Sequence, residues 1–210
     1  VKRGGTRHLL GLSLGAMAAL TVFAILSPGG FTAAMTRPSW YLHAKFAHVL
    51  SVTLFFANAV IGTLWELRSL HDGRPPIVRY TFRTVAWLDA VFTAPLILIA
   101  LTSGLMLATT LGGVETLGWV SISLCLFILS GVVWVIADIP MQYRVNRLFD
   151  AVAADAVSLP EPLRRLLRFR MLINLMGILP LLVGFYLMVH KPAVPAVASW
   201  LHPFRITAVP

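Results

Sequence analysis

Five apolar runs dominate this chain, each long enough to cross a hydrocarbon layer as a helix. They lie at about residues 9–26, 44–65, 85–109, 117–139 and 171–189. A bilayer core of about 30 Å takes about 20 helical residues. Backbone groups in lipid must be paired within the segment, and the strict alternation of a barrel strand is missing, so the runs are read as helices. Composition agrees, with 58% apolar and 12% charged residues. That is about half the charge of a soluble chain. The apolar excess excludes disorder, and a single cysteine excludes a disulfide scaffold. The fold class is therefore an all-α polytopic membrane protein.

Positive charge sets the expected orientation. Thirteen Lys and Arg residues fall at the N-terminus, after the second run and before the last, against Arg37, Lys45, Lys191 and Arg205 on the other side. The positive-inside rule puts the N-terminus in the cytoplasm and the C-terminus outside. These charges flank spans and are not gathered on a soluble domain, so nucleic acid is not an expected partner despite the net charge of +9. Anionic lipid headgroups are. Residues 1–40 read as an uncleaved signal-anchor helix with a Gly/Pro/Ser-rich connection, 41–192 as a four-helix membrane bundle, and 193–210 as an extracytoplasmic tail. Within the long basic loop, the pattern predicts an amphipathic helix over 145–157. A helix start follows at Ser158-Leu159-Pro160-Glu161, and basic and apolar faces alternate along 162–168, as for a helix lying on the membrane surface.

Ionisable groups at membrane depth are costly, and each is a functional candidate. Depth places Glu66, Asp89, Asp138 and Arg170 near the inner side, with Arg83 and Arg144 in reach. Their simplest role is ion pairing near the headgroups; the sharper one is a proton path or substrate site. An outer group contains His43, Lys45, His48, His190 and Lys191, with His202 beyond. His48 and Glu66 are eighteen residues apart, five turns, and so share one helical face about 27 Å apart. Haem b in a helical bundle takes imidazole from one or two helices. His48 and His190 lie on different runs at similar depth, with Phe46, Phe55, Phe56, Tyr186, Gly62 and Gly184 to pack around a macrocycle. Lys45 is the candidate propionate partner, and Asn58, mid-membrane, the residue that orients groups inside the bundle. Cys125, alone in its run, is expected to pack. Pro95 is expected to loosen its helix. No phosphate loop, zinc spacing or nucleophile elbow is present. A copper site from His43, His48, Met35 and Met188 lacks a tight soft-ligand motif.

Several motifs are familiar: Lys45-Phe46-Ala47-His48, Asn58, Trp87-Leu88-Asp89, Phe92-Thr93-Ala94-Pro95, Thr102-Ser103-Gly104, Trp134, Pro140-Met141-Gln142 and Tyr186 through Pro192. Together they resemble a family of predicted bacterial integral membrane proteins of unassigned function, over residues 41–192. The opening Lys-x-x-His also resembles the first helix of copper-resistance D-type proteins and of haem-binding membrane protoporphyrinogen oxidases. That resemblance implies a haem site at His48 and a multi-pass protein of the bacterial inner membrane. The oxidases' lysine on a later helix has no intramembrane counterpart here, so their activity is not carried over. The leading expectation is a haem-b-type redox or electron-transfer protein with His48 as axial ligand and His190 as its partner. The alternatives are a cofactor-free accessory subunit of a larger respiratory or photosynthetic membrane complex, and a copper or small-solute transporter.

Overall fold

The structure, a computed structural model, describes residues 3–114, 116–153 and 156–195. Among them there are helices and turns and no strand. The chain begins with α1 (Arg3–Leu26), α2 (Pro28–Met35) and a 3-10 turn (Pro38–Trp40). It continues as α3 (Tyr41–Asp72), α4 (Pro75–Leu88), α5 (Ala94–Thr110), α6 (Gly118–Val133), α7 (Ile139–Asp150) and α8 (Glu161–His190). Two π-helical turns, Asp89–Thr93 and Trp134–Asp138, join α4 to α5 and α6 to α7 without interrupting either rod. Four rods, Tyr41–Asp72, Pro75–Thr110, Gly118–Asp150 and Glu161–His190, are long and apolar enough to cross a membrane. The apolar part of α1 is shorter, Gly11–Ala24. The tail expected at 193–210 passes out of the described residues after Pro195, and His202 lies outside them.

Local chemistry explains where the rods stop. Gly73 closes α3 with φ 76° and returns its N–H to the Ser69 carbonyl. This left-handed cap suits a residue without Cβ, and Pro75 then starts α4 where no N–H is needed. At the far end, Lys191 takes φ 46° and donates to the Leu187 carbonyl, and Pro192 prevents continuation.

The rods pack chiefly as α3 on α5 and α6 on α8. The buried face of α3, Ala44, Ser51, Phe55, Gly62, Glu66 and Ser69, is a single stripe of mostly small residues. Lipid competes well for large apolar side chains, so close approach at small residues is what joins such helices. Gly62 shows it: a Cβ there would stand 3.2 Å from Val85 Cγ1. At one end of the bundle Val78, Phe82, Val145, Phe149, Leu163 and Leu167 form an apolar plug. Towards the other, Phe31 of α2 is sealed against Leu101 and Leu105.

The basic loop departs from its sequence pattern in two respects. The helix predicted over 145–157 ends at Asp150, and Val157 is exposed. The segment 162–168 is no separate surface helix but the opening turns of α8. Pro162 lies in the first turn, where its missing N–H costs nothing, so the helix runs on. Its apolar residues Leu163 and Leu167 then find α4 and α7 in place of the lipid surface.

Candidate functional site

Ion pairs tie the bundle together near the plug. Arg170 of α8 is 1% exposed. Its Nη1 donates to Glu66 Oε1 at 2.5 Å and its Nε to Asp138 Oδ1 at 2.8 Å. One turn along α8, Asn174 Nδ2 donates to the second Glu66 oxygen at 3.2 Å. Gln142 Nε2 donates to Asp138 Oδ2 at 2.8 Å and to Asp89 Oδ2 at 3.1 Å. The Phe82 ring lies 5.3 Å from the guanidinium carbon. All four rods meet here, so the structure brings together Glu66, Asp89, Asp138 and Arg170. Arg83 is not part of the group; it pairs with Asp150 at 2.6 Å. Arg144 is exposed. Gln142 and Asn174, which the charge count passed over, follow Asp138 and Arg170 at i+4, a spacing that places them on the same face.

Both acidic residues contributed by the rods with wide turns sit in those turns: Asp89 opens one and Asp138 closes the other. The cause is the proline that follows. Pro95 and Pro140 have no N–H, and each ring crowds the carbonyl four residues back. Widening by one residue relieves this: Ala94 N–H reaches the Asp89 carbonyl, and Ile139 N–H the Trp134 carbonyl. The expected loosening at Pro95 therefore takes the form of a π turn. Beside the turns lies a cavity of about 510 Å³ lined by Asp89, Asp138, Asn58, Trp134 and Asn174, with Met17 of α1 on its wall. Asn58 belongs to this cavity, where its Nδ2 donates to Thr93 Oγ1 at 2.7 Å. It does not line the cavity beside His48.

His48 sits towards the start of α3 with its ring against α5. Nδ1 is 2.8 Å from the Ala100 carbonyl, which accepts the bond and leaves Nε2 as the ring's lone-pair nitrogen. Gly104 makes room for the ring: a Cβ there would stand 2.8 Å from Cε1. The ring borders a second cavity, about 260 Å³, lined also by Phe55, Phe127, Phe185 and Met188. Ser123 lines it too, 4% exposed, its Oγ without a hydrogen-bond partner among the described residues.

The other outer candidates are elsewhere. His190 is exposed at the end of α8, 3.1 Å from the Tyr186 carbonyl and stacked on the Tyr186 ring at 4.0 Å. It does not line the His48 cavity; Met188, two residues earlier, does. Lys45 and His43 are exposed, and Lys191 Nζ lies 5.8 Å from the Trp119 ring centre. Among the described residues no three His, Cys, Asp or Glu side chains converge as a metal site. Cys125 is exposed on α6, contrary to the packing role expected of it.

Compared with known proteins, residues 42–192 match the family described as predicted integral membrane protein (DUF2269). No curated protein and no solved structure matches the chain.

Proposed function

This chain belongs to the DUF2269 family of predicted integral membrane proteins, and on that premise we propose that it is a haem-b-type redox protein of the bacterial inner membrane. The proposal takes His48 as the axial imidazole. One observation carries it: the Ala100 carbonyl holds Nδ1 of His48 at 2.8 Å. Ligating histidines are held in this way, with one nitrogen fixed by a backbone or carboxylate oxygen and the other free. Three further features fit the group. Gly104 lets the imidazole seat against α5, where a Cβ would meet its Cε1. Ser123 Oγ, on the same cavity wall, is a polar atom with no partner among the described residues. The remaining wall is aromatic and aliphatic, as around macrocycles in helical bundles. At about 260 Å³ the cavity is smaller than the roughly 300–1,000 Å³ of sites that enclose a whole ligand, so it would enclose part of a porphyrin. The protein's share of the work is to hold the imidazole, keep water from it and raise or lower the potential through the surrounding wall. The bound group would supply one-electron transfer. Lys45, exposed near the start of α3, is the proposed propionate partner. His190 is not proposed as a ligand in this geometry.

The test is the absorption spectrum of the purified full chain, with haem supplied during expression. A Soret band is expected. His48→Ala should abolish it, and Gly104→Val, which displaces the ring, should weaken it. A colourless, correctly folded preparation would reject the proposal. The second reading would then stand, a proton or small-solute path, favoured by the cavity of about 510 Å³ that Asp89 and Asp138 line.

A further inference from the structure

One end of the groove between α3 and α8 is lined by Leu64, Leu67, Arg68 and His71 from α3 and by Arg168 and Met171 from α8. On α3 these are positions i, i+3, i+4 and i+7, one continuous face. Along that face the order is apolar, then basic, towards the end of the helix. On α8 the order is the same towards the same end, because the Glu66–Arg170 bond sets the two helices level there. Leu172 and Leu175, further along α8, continue its exposed apolar surface. Two antiparallel helices thus present one graded surface, positive at the bundle's end and greasy towards its middle.

Among the described residues these positive charges form no ion pair, Arg68 acting on Asp72 only through space. Neither Arg68 nor Arg168 has a hydrogen-bond or salt-bridge partner among the described residues. The nearby carboxylates are engaged elsewhere: Asp72 with Arg74, Glu161 with Arg165 and Asp150 with Arg83. Behind the groove, the buried Glu66–Arg170 pair ties α3 to α8.

We propose that this groove is a specific site for one anionic phospholipid, its phosphate between Arg68, His71 and Arg168 and an acyl chain along Leu64 and Leu67. Guanidinium groups match phosphate oxygens in a fork, and basic pockets between membrane helices recognise anionic headgroups. The leucines decide the source of the phosphate. Leu64 and Leu67 are 57% and 56% exposed in line with the charges, a surface for which a free phosphate ion has no use and an acyl chain does. The site does not depend on the His48 cavity and lies at the other end of α3.

Native mass spectrometry of the full chain, titrated with phosphatidylglycerol or with phosphatidylcholine of matched chains, tests this. Wild type should retain one phosphatidylglycerol in preference to phosphatidylcholine. Arg68→Gln with Arg168→Gln should lower that preference about 25-fold, at about fivefold for each guanidinium lost. Arg144→Gln with Arg147→Gln, which removes two exposed charges of α7, should leave it unchanged. Inorganic phosphate at equal concentration should not displace the lipid. A photoactivatable phosphatidylglycerol should label wild type within 64–71 or 168–175, which keeps the proposal open to test if the double variant folds poorly. Equal retention of the two lipids, an unaltered preference in the Arg68/Arg168 variant, displacement by phosphate or labelling elsewhere would each overturn it.

Discussion

Arg170 is the residue whose environment decides how the basic end of the bundle is held. A guanidinium at 1% exposure has given up its hydration, and so have the Glu66 and Asp138 carboxylates beside it. Such a group is not a large net source of stability, because the desolvation cost offsets most of the attraction. Its removal is another matter. Arg170→Leu would leave Glu66 and Asp138 buried and facing one another with only Asn174 and Gln142 as donors. The expected loss is about 3–5 kcal/mol, the usual cost of breaking one partner out of a buried pair. Arg165→Leu is the proper comparison. Its pair with Glu161 is an i,i+4 contact with side chains 78% and 55% exposed, and exposed pairs contribute about 0–1 kcal/mol. Unfolding in mild detergent, followed by helix signal against denaturant, should separate the two variants clearly. Equal, small losses would mean that the network is no more than a surface feature drawn inward.

The two rods with wide turns show how an element can aim a side chain. An α-helix advances about 100° per residue, so one extra residue in a turn rotates everything on one side of it by that angle. The turn at Asp89–Thr93 sets where Asp89 points, and Gln142 meets it at 3.1 Å. Pro95→Ala restores an N–H and removes the ring, and the segment is expected to relax into regular α-helix. Asp89 would then swing away from Gln142. In a Cys125→Ser background, with Asp89→Cys and Gln142→Cys, a short bifunctional thiol reagent should link the pair efficiently when Pro95 is present and several-fold less when it is alanine. Unchanged linking would show that the turn is held by its packing and not by the proline. These same elements mark the limit of what the sequence discloses. Run length and the lack of charge are enough to locate four rods, because a helix in lipid satisfies its own backbone. The inner cluster is legible too, since depth alone groups Glu66, Asp89, Asp138 and Arg170. The exact partners are not, because a π turn shifts the register on which any face assignment relies. Asn58 meets Thr93 within such a turn. His190 does not line the cavity beside His48, for a different reason. Similar depth does not imply a shared interior, and α8 turns His190 outward while Met188 faces the cavity.

At the scale of the whole molecule, the open matter is the role of α1. The four long rods alternate, so residues 151–153, 156–160 and Gly73 lie at one end, and Gly113 and Lys191 at the other. α2 follows α1 and carries Phe31, which packs on Leu101 and Leu105 in the second half of the Pro75–Thr110 rod. The end of α1 is therefore on the Lys191 side of the bundle. Further back, Leu14, Met17 and Thr21 line the cavity beside Asp89, nearer the opposite end. A helix that passes from the level of Asp89 to the level of Phe31 runs along the bundle rather than across its mouth. On the positive-inside rule its start is expected with the basic loops, in the cytoplasm. Single cysteines in a Cys125→Ser background, treated in intact cells with a membrane-impermeant thiol reagent, test each step. Thr116→Cys and Ala193→Cys should react from outside, and Ala153→Cys only after the membrane is opened. His8→Cys is the deciding position: protected like residue 153, it makes α1 a fifth crossing. Reactive like residue 116, it makes α1 a helix that enters and leaves on one side, and the bundle then crosses four times with the cavity beside Asp89 capped from without.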